Sequence, residues 1–329
     1  MFGFGKKLSV EEKQQWDEQV KTLYEKEDFA AAFKKAKEYE KLDKAAASYY
    51  LALMYYRGQG VKAQDLDKAL LYITRYTEKY PEDKDGWFYG SDIMVANNKP
   101  DEAIAYLLQA ESLGKEEAIK CLAGFCSYMG LAYRNAAWVT MKVTEYRELN
   151  AKAILCFTRA IQKYRKLYEK DATLLQEDEW MQLGFVVHYM HFLALSNAWP
   201  NMLYKDDTVG SDIEAAYQMP DRATHDRTPA YWKELAEKVI ADMEREGYLV
   251  HGAYVKAMLA SNEADLNKSE EALALAKQYL DQACELAGDQ VDKYKDEFEV
   301  VWKEYERLVR KSEKQEKKEK KGLFGKGSK

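Results

Sequence analysis

The sequence predicts an all-α protein, an array of helical hairpins followed by a divergent helical C-terminal half. Three observations carry that expectation. Glycine and proline supply only 22 of the 329 residues, about 7% against roughly 12% in ordinary usage, which is too few turn residues for a sandwich, a barrel or a loop-rich secreted fold. Apolar residues recur at helical spacing in successive pairs of segments, each closed by its own start and stop signals. Ala69 and Ala103 occupy matching places in two such segments, 34 residues apart, and a fixed period of that length marks a stack of helical hairpins.

Taken in order, Trp16, Val20, Leu23 and Tyr24 line one face of a first helix, and Asp28 opens a second with Phe29, Ala32, Phe33 and Ala36. The next pair is expected over 45–57 and 65–80, closed by Pro81, and a third over 85–96 and 100–113. Pro100 suits a first turn, where its missing N–H is harmless, and Gly114 suits a C-terminal stop. Four of the second helices share a motif, a charged residue, a small Ala and an apolar run: Lys68–Tyr72, Glu102–Tyr106, Lys152–Cys156 and Glu271–Leu275. Beyond Gly130 the period breaks for 23 residues, where Trp138, Val139, Met141, Val143 and Tyr146 fit either an extended or an inserted helix. Helices are then expected over about 151–170 and 174–198. Thr228 and Pro229 open another that ends before Gly247, and two more span about 248–262 and 269–287. A long charged helix begins near Val291.

Trp87, Gly90, Ser91 and Met94, followed by Ala103, Leu107 and Ala110, resemble the tetratricopeptide pattern, and Ala153, Phe157 and Ala160 repeat its second half. The preceding unit resembles the Sel-like variant of that family. Ala47, Leu51, Ala52, Tyr55, Gly58, Gly60, Val61, Asp65, Lys68, Ala69 and Tyr72 follow its motif with one extra residue before Asp65. Ala118, Leu122 and Ala123 echo the start, but Cys126 and Met129 replace the expected Tyr and Gly. The match covers residues 45–130, about a quarter of the chain. It implies a solenoid of helical hairpins whose concave groove binds a peptide or a helix of a partner protein. The expected organisation is a flexible 1–10, a repeat array over 11–130, divergent helices over 131–199, an irregular insert at 200–228, helical hairpins over 229–310 and a basic tail, 311–329, disordered at its end.

The net charge of −6 is unevenly placed. Residues 311–329 hold eight Lys against three Glu; setting aside that +5 with Lys6 and Lys7 leaves −13 for residues 8–310. Such a body argues against nucleic-acid binding, which needs clustered Lys and Arg to neutralise phosphates. Cys121, Cys126, Cys156 and Cys284 form no C-x-x-C pair and read as reduced packing residues. The N-terminus lacks the apolar stretch of a signal peptide, since Glu11, Glu12 and Lys13 follow at once. The most apolar run, 181–199, is interrupted by Gln182, His188, His191, Ser196 and Asn197 and reads as a core helix. The expected compartment is cytoplasmic.

No nucleophile elbow, phosphate loop or motif-flanked cysteine occurs, so neither catalysis nor a cofactor is expected. His188 and His191 share one helical face and can in principle share a metal. No third ligand lies near in sequence except His251 or the acids of 200–228, and histidines among Val, Tyr, Met and Phe usually serve a core. Asp206, Asp207, Asp212, Glu214, Asp221, His225 and Asp226 crowd the insert without calcium-loop spacing. The two Phe-Gly segments beside lysines, Phe2–Lys6 and Gly322–Lys326, are too short to anchor a membrane alone. The leading functional expectation is therefore a non-enzymatic adaptor. Its groove would be lined by Tyr49, Leu53, Tyr56 and Arg57 on one helix and by Phe88, Asp92 and Val95 on the next first helix. Tyr and Arg suit interface hot spots, and the same tyrosines also fit as packing between hairpins. Two alternatives stand beside it: a metal protein centred on His188 and His191, and a peripheral membrane or assembly factor using the basic ends.

Overall fold

The computed structural model describes residues 8–196 and 229–324. These are helical throughout, with no strand among the described residues. The chain divides into two units, Met1–Leu122 and Ala123–Lys329. The division falls inside a helix, eight residues before the expected end of the array at 130.

The first unit holds six complete helices, most started by a local cap. Ser9 opens α1 (Val10–Glu25) with a capping box: its hydroxyl accepts from the Glu12 N–H, and the Glu12 carboxylate accepts from the Ser9 N–H. Asp28 caps α2 (Phe29–Leu42), Asp65 caps α4 (Leu66–Lys79) and Asp83 caps α5 (Lys84–Ala96). Pro100 stands in the first turn of α6 (Pro100–Ser112). The helix expected from residue 45 begins later, as α3 (Ser48–Arg57), because Asp43 accepts from the N–H groups of Ala45 and Ala46 and holds them in a turn.

Each helix packs on the next, α1 on α2, α2 on α3, and so on to α6. Ala32, Ala36, Ala69, Ala103 and Ala110 are fully buried at these contacts, beside Leu51, Met54, Ile73 and Ile93. Small residues set the spacing. A Cβ on Gly90 would lie 2.7 Å from the Tyr106 ring and 3.0 Å from Ile73, so α5 closes against α4 and α6 only because that position is bare. The turn after α3 likewise brings Gly60 against the first residue of α2.

The break in period after Gly130 comes from extension of the helices on both sides of it, not from an inserted helix. α7 (Glu117–Val139) runs on past the expected end, and α8 (Val143–Lys170) starts eight residues earlier than expected. Val139, Met141 and Val143 stand exposed at their junction. A 3-10 turn at Ala172–Leu174 leads to α9 (Glu177–Leu195), opened by a Gln176–Glu179 capping box. After the undescribed 197–228 come α10 (Pro229–Arg245), α11 (Leu249–Asn267) and α12 (Glu270–Ala287). A 3-10 segment, Gly288–Tyr294, precedes α13 (Lys295–Phe324), which carries the Lys/Glu run to Phe324 as helix.

Within the second unit α9 is the central element, packed by α8, α10 and α11, while α11, α12 and α13 pack on one another. Trp180, Leu183, Val186, Val187, Met190, His191 and Leu193 are buried on one half of α9, and Met181, Phe185, His188, Tyr189 and Phe192 are half-buried on the other, so no side of it stands open to solvent. That explains its continuous apolar sequence without a bilayer. No helix among the described residues is long and apolar enough to cross a membrane. The acidic insert at 200–228 and the Phe-Gly segment at 2–6 lie outside the described residues.

Candidate partner-binding face

The expected groove residues come from α3 and α5, two first helices of successive hairpins, which touch each other directly. Positions 49, 53, 56 and 57 follow helical spacing on α3, as 88, 92 and 95 do on α5. Their fates differ.

Tyr56, Arg57 and Asp92 are brought together. The Tyr56 hydroxyl is pushed up by burial and then by the Asp92 carboxylate, with Arg57 opposing. Asp92 keeps an open edge to solvent, yet surrounding atoms crowd its carboxyl and raise its pKa, with Arg57 pulling it down. Arg57 is oriented from α1, since its guanidinium donates to the Tyr24 hydroxyl at 2.9 Å and that hydroxyl donates to Gln59 Oε1 at 2.8 Å. Val95 is 47% exposed one turn beyond Asp92 and offers apolar surface.

The other three are less free. Leu53 is 5% exposed and forms the floor of the face rather than its surface. Tyr49 is the hub of an aromatic cluster, its ring centroid 5.1 Å from Tyr50, 5.2 Å from Tyr76 and 6.5 Å from Tyr89. Burial, with Asp85 adding, pushes its hydroxyl well above the usual phenol range. Phe88 lies half-buried beneath Lys115, whose ammonium sits 5.1 Å from the ring centroid while pairing with Asp85 at 2.8 Å and Glu117 at 3.3 Å.

Sequence reasoning missed several residues on this side of the unit. Tyr24 and Asp17 come from α1, Tyr50 and Tyr89 from α3 and α5, and Cys121 from the start of α7. The Cys121 thiol is raised by crowding around the sulfur, then by Asp92 and Glu117, which places it near Asp92. Asp17 and Tyr24 stand seven residues apart on α1, two turns on one face. That spacing was the available signal.

The paired histidines of α9 occupy separate environments. His188 Nδ1 lies 3.1 Å from Asn262 Nδ2, which also donates to the His188 carbonyl, and the ring donates to the Met258 carbonyl. Burial, with Arg134 and His191 adding, pushes its pKa down to about 3. A neutral ring satisfied at both nitrogens is a packing element. His191 is pushed down to about 4 by burial, which outweighs the Glu263 carboxylate 3.9 Å from its Nε2. Among the described residues no group of three or more His, Cys, Asp or Glu is placed to hold a metal ion.

No known family model matches the chain, and no curated protein matches it.

Proposed function

We propose that this chain is a non-enzymatic cytoplasmic adaptor whose first unit is a tetratricopeptide- or Sel-like repeat array that holds a segment of a partner protein in its concave groove. The observation that carries the reading is the face shared by α3 and α5. It presents Tyr56, Arg57, Asp92 and Val95 on alternate helices, while Ala69 and Ala103, 34 residues apart, lie fully buried in the helices behind. Tyrosine and arginine give an interface rigid contact area and directional hydrogen bonds. Here the Tyr24 hydroxyl already holds Arg57 in place, so less conformational entropy is lost when a partner docks. Four cysteines without C-x-x-C spacing support the reducing compartment.

The test is affinity capture from the native cell with the whole chain and with a variant carrying Tyr56→Ala and Val95→Ala. Loss of a specific co-purifying protein is expected. A variant that retains every interaction of the wild-type chain refutes the groove assignment.

A further inference from the structure

The corner between α7 and α8 turns apolar side chains outward. Val139 is 81% exposed and Met141 97%, with Trp138 and Val143 also exposed on either side. The corner is firmly held. Ala137 before it and Asn150 after it are buried. Within it the Thr140 hydroxyl donates to Glu145 Oε2 at 2.8 Å and accepts from the Lys142 N–H at 3.4 Å. Scattered apolar side chains on a surface need no explanation, but four within the six residues 138–143 form a patch of the kind that meets a partner or a membrane.

One turn before Trp138 stands a cation without a counter-ion. The Arg134 guanidinium lies 4.1 Å from the Trp138 ring centroid and 4.4 Å from that of Tyr189. Its Nε has no partner among the described residues, and Nη1 meets the Asn135 side-chain oxygen at 3.2 Å. Glu304 of α13, whose charge reaches Arg134, is itself engaged by Arg307 at 2.8 Å. The half-buried guanidinium has therefore given up water without gaining an anion. Lys142 and Arg147 stand exposed on the same stretch. Residues 134–152 hold four basic residues against two acidic, a local +2 within a body, 8–310, whose net charge is −13.

An unpaired cation beside projecting apolar side chains matches a ligand that carries an anionic group above hydrocarbon. That is the order met at the surface of a bilayer containing acidic phospholipid. The shape agrees. A partner protein would need a hollow fitted to this corner, whereas headgroups and acyl chains give way around any convex apolar shape. We propose that the α7–α8 corner is a contact site for an anionic membrane surface. Val139, Met141 and Val143 enter the interfacial region, Trp138 lies at headgroup level, and Arg134, Lys142 and Arg147 meet the lipid phosphates. All of these residues belong to the second unit, so the site does not depend on the groove reading of the first. With so few apolar side chains the contact is weak and reversible.

The experiment is flotation of the full chain with vesicles of phosphatidylcholine alone and of phosphatidylcholine mixed with phosphatidylserine. The chain is expected to float with the acidic vesicles, less so as salt is added, and to bind the neutral ones at least about fivefold more weakly. Val139→Ser combined with Met141→Ser removes the apolar reach at positions that pack on almost nothing. Binding to the acidic vesicles should then fall at least about tenfold, with the melting temperature unchanged. Arg134→Gln should weaken binding to the acidic vesicles and leave the neutral ones as they were.

Both variants keep the basic ends, residues 1–7 and 311–329, so flotation that survives the double serine change belongs to those ends and overturns the proposal. A wild-type chain that does not float overturns it as well. Inorganic phosphate that releases the chain more than chloride of equal ionic strength marks a site for the free anion and refutes the membrane role. A double serine variant that still floats but loses self-association or a captured protein assigns the corner to a protein interface instead.

Discussion

Gly60→Ala is the sharpest test of how the first unit is assembled. Gly60 has φ +70° in the turn between α3 and α4, and a Cβ built there falls 2.1 Å from the Phe29 carbonyl oxygen and 2.7 Å from its carbon. Two penalties combine. A left-handed backbone costs an L-residue roughly 1–2 kcal/mol. The contact adds about 1–3 kcal/mol of overpacking, because the obstructing atoms are backbone at the start of α2 and cannot rotate away. The sum is about 2–5 kcal/mol. Gly114→Ala isolates the first penalty, since Gly114 has φ +84° and an added Cβ would meet nothing within 4 Å. Urea unfolding followed by circular dichroism should show Gly60→Ala losing at least about 1 kcal/mol more than Gly114→Ala. If the two variants unfold alike, the α3–α4 turn does not close on α2, and the stacking of the first two hairpins described here is wrong.

Three further outcomes are expected. Ala103→Leu adds bulk at a fully buried position, so it should destabilise the chain by about 1–3 kcal/mol. It should also weaken partner binding although Ala103 lies behind the face; a wild-type melting curve would refute the register. Tyr56→Ala should instead weaken partner binding at least about fivefold, a typical hot-spot truncation. Its melting temperature should stay nearly unchanged, as measured by differential scanning fluorimetry. Stability should fall on acidification because His188 and His191 are buried neutral, with pKa values pushed down to about 3 and about 4. The unfolded chain takes up these protons near the ordinary value of about 6.5, so stability present above that pH is lost as pH falls toward 4 and then 3. Replacing both by Gln should flatten the urea-midpoint profile between about pH 6 and 4; an unaltered slope would refute the assignment.

Most helix starts could be read from the sequence because a cap is a local device. Asp28, Asp65, Pro100 and Ser269 each stand at the boundary that their side chain or ring dictates. The all-α class followed from period and turn poverty, which need no knowledge of neighbours. The late start of α3 was harder, since Asp43 chooses between caps by bonding Ala45 and Ala46. The lengths of α7 and α8 were not legible either, because a run with apolar residues and no proline can continue as helix until packing stops it.

The face itself divides in the same way. Spacing on α3 and α5 placed Tyr56, Arg57 and Asp92 on matching turns, but it could not separate them from Tyr49, which points into Tyr76 and Tyr89. Arg57 is held by Tyr24 from α1, 33 residues away, and the neutral state of His188 comes from its burial, in a site where Asn262, 74 residues away, meets its Nδ1. Helical periodicity fixes the side of a helix on which a residue lies, since that depends only on the backbone repeat. What then meets that side, and so whether a charge is paired, a ring is buried or a histidine can titrate, is decided by packing between segments distant in the chain.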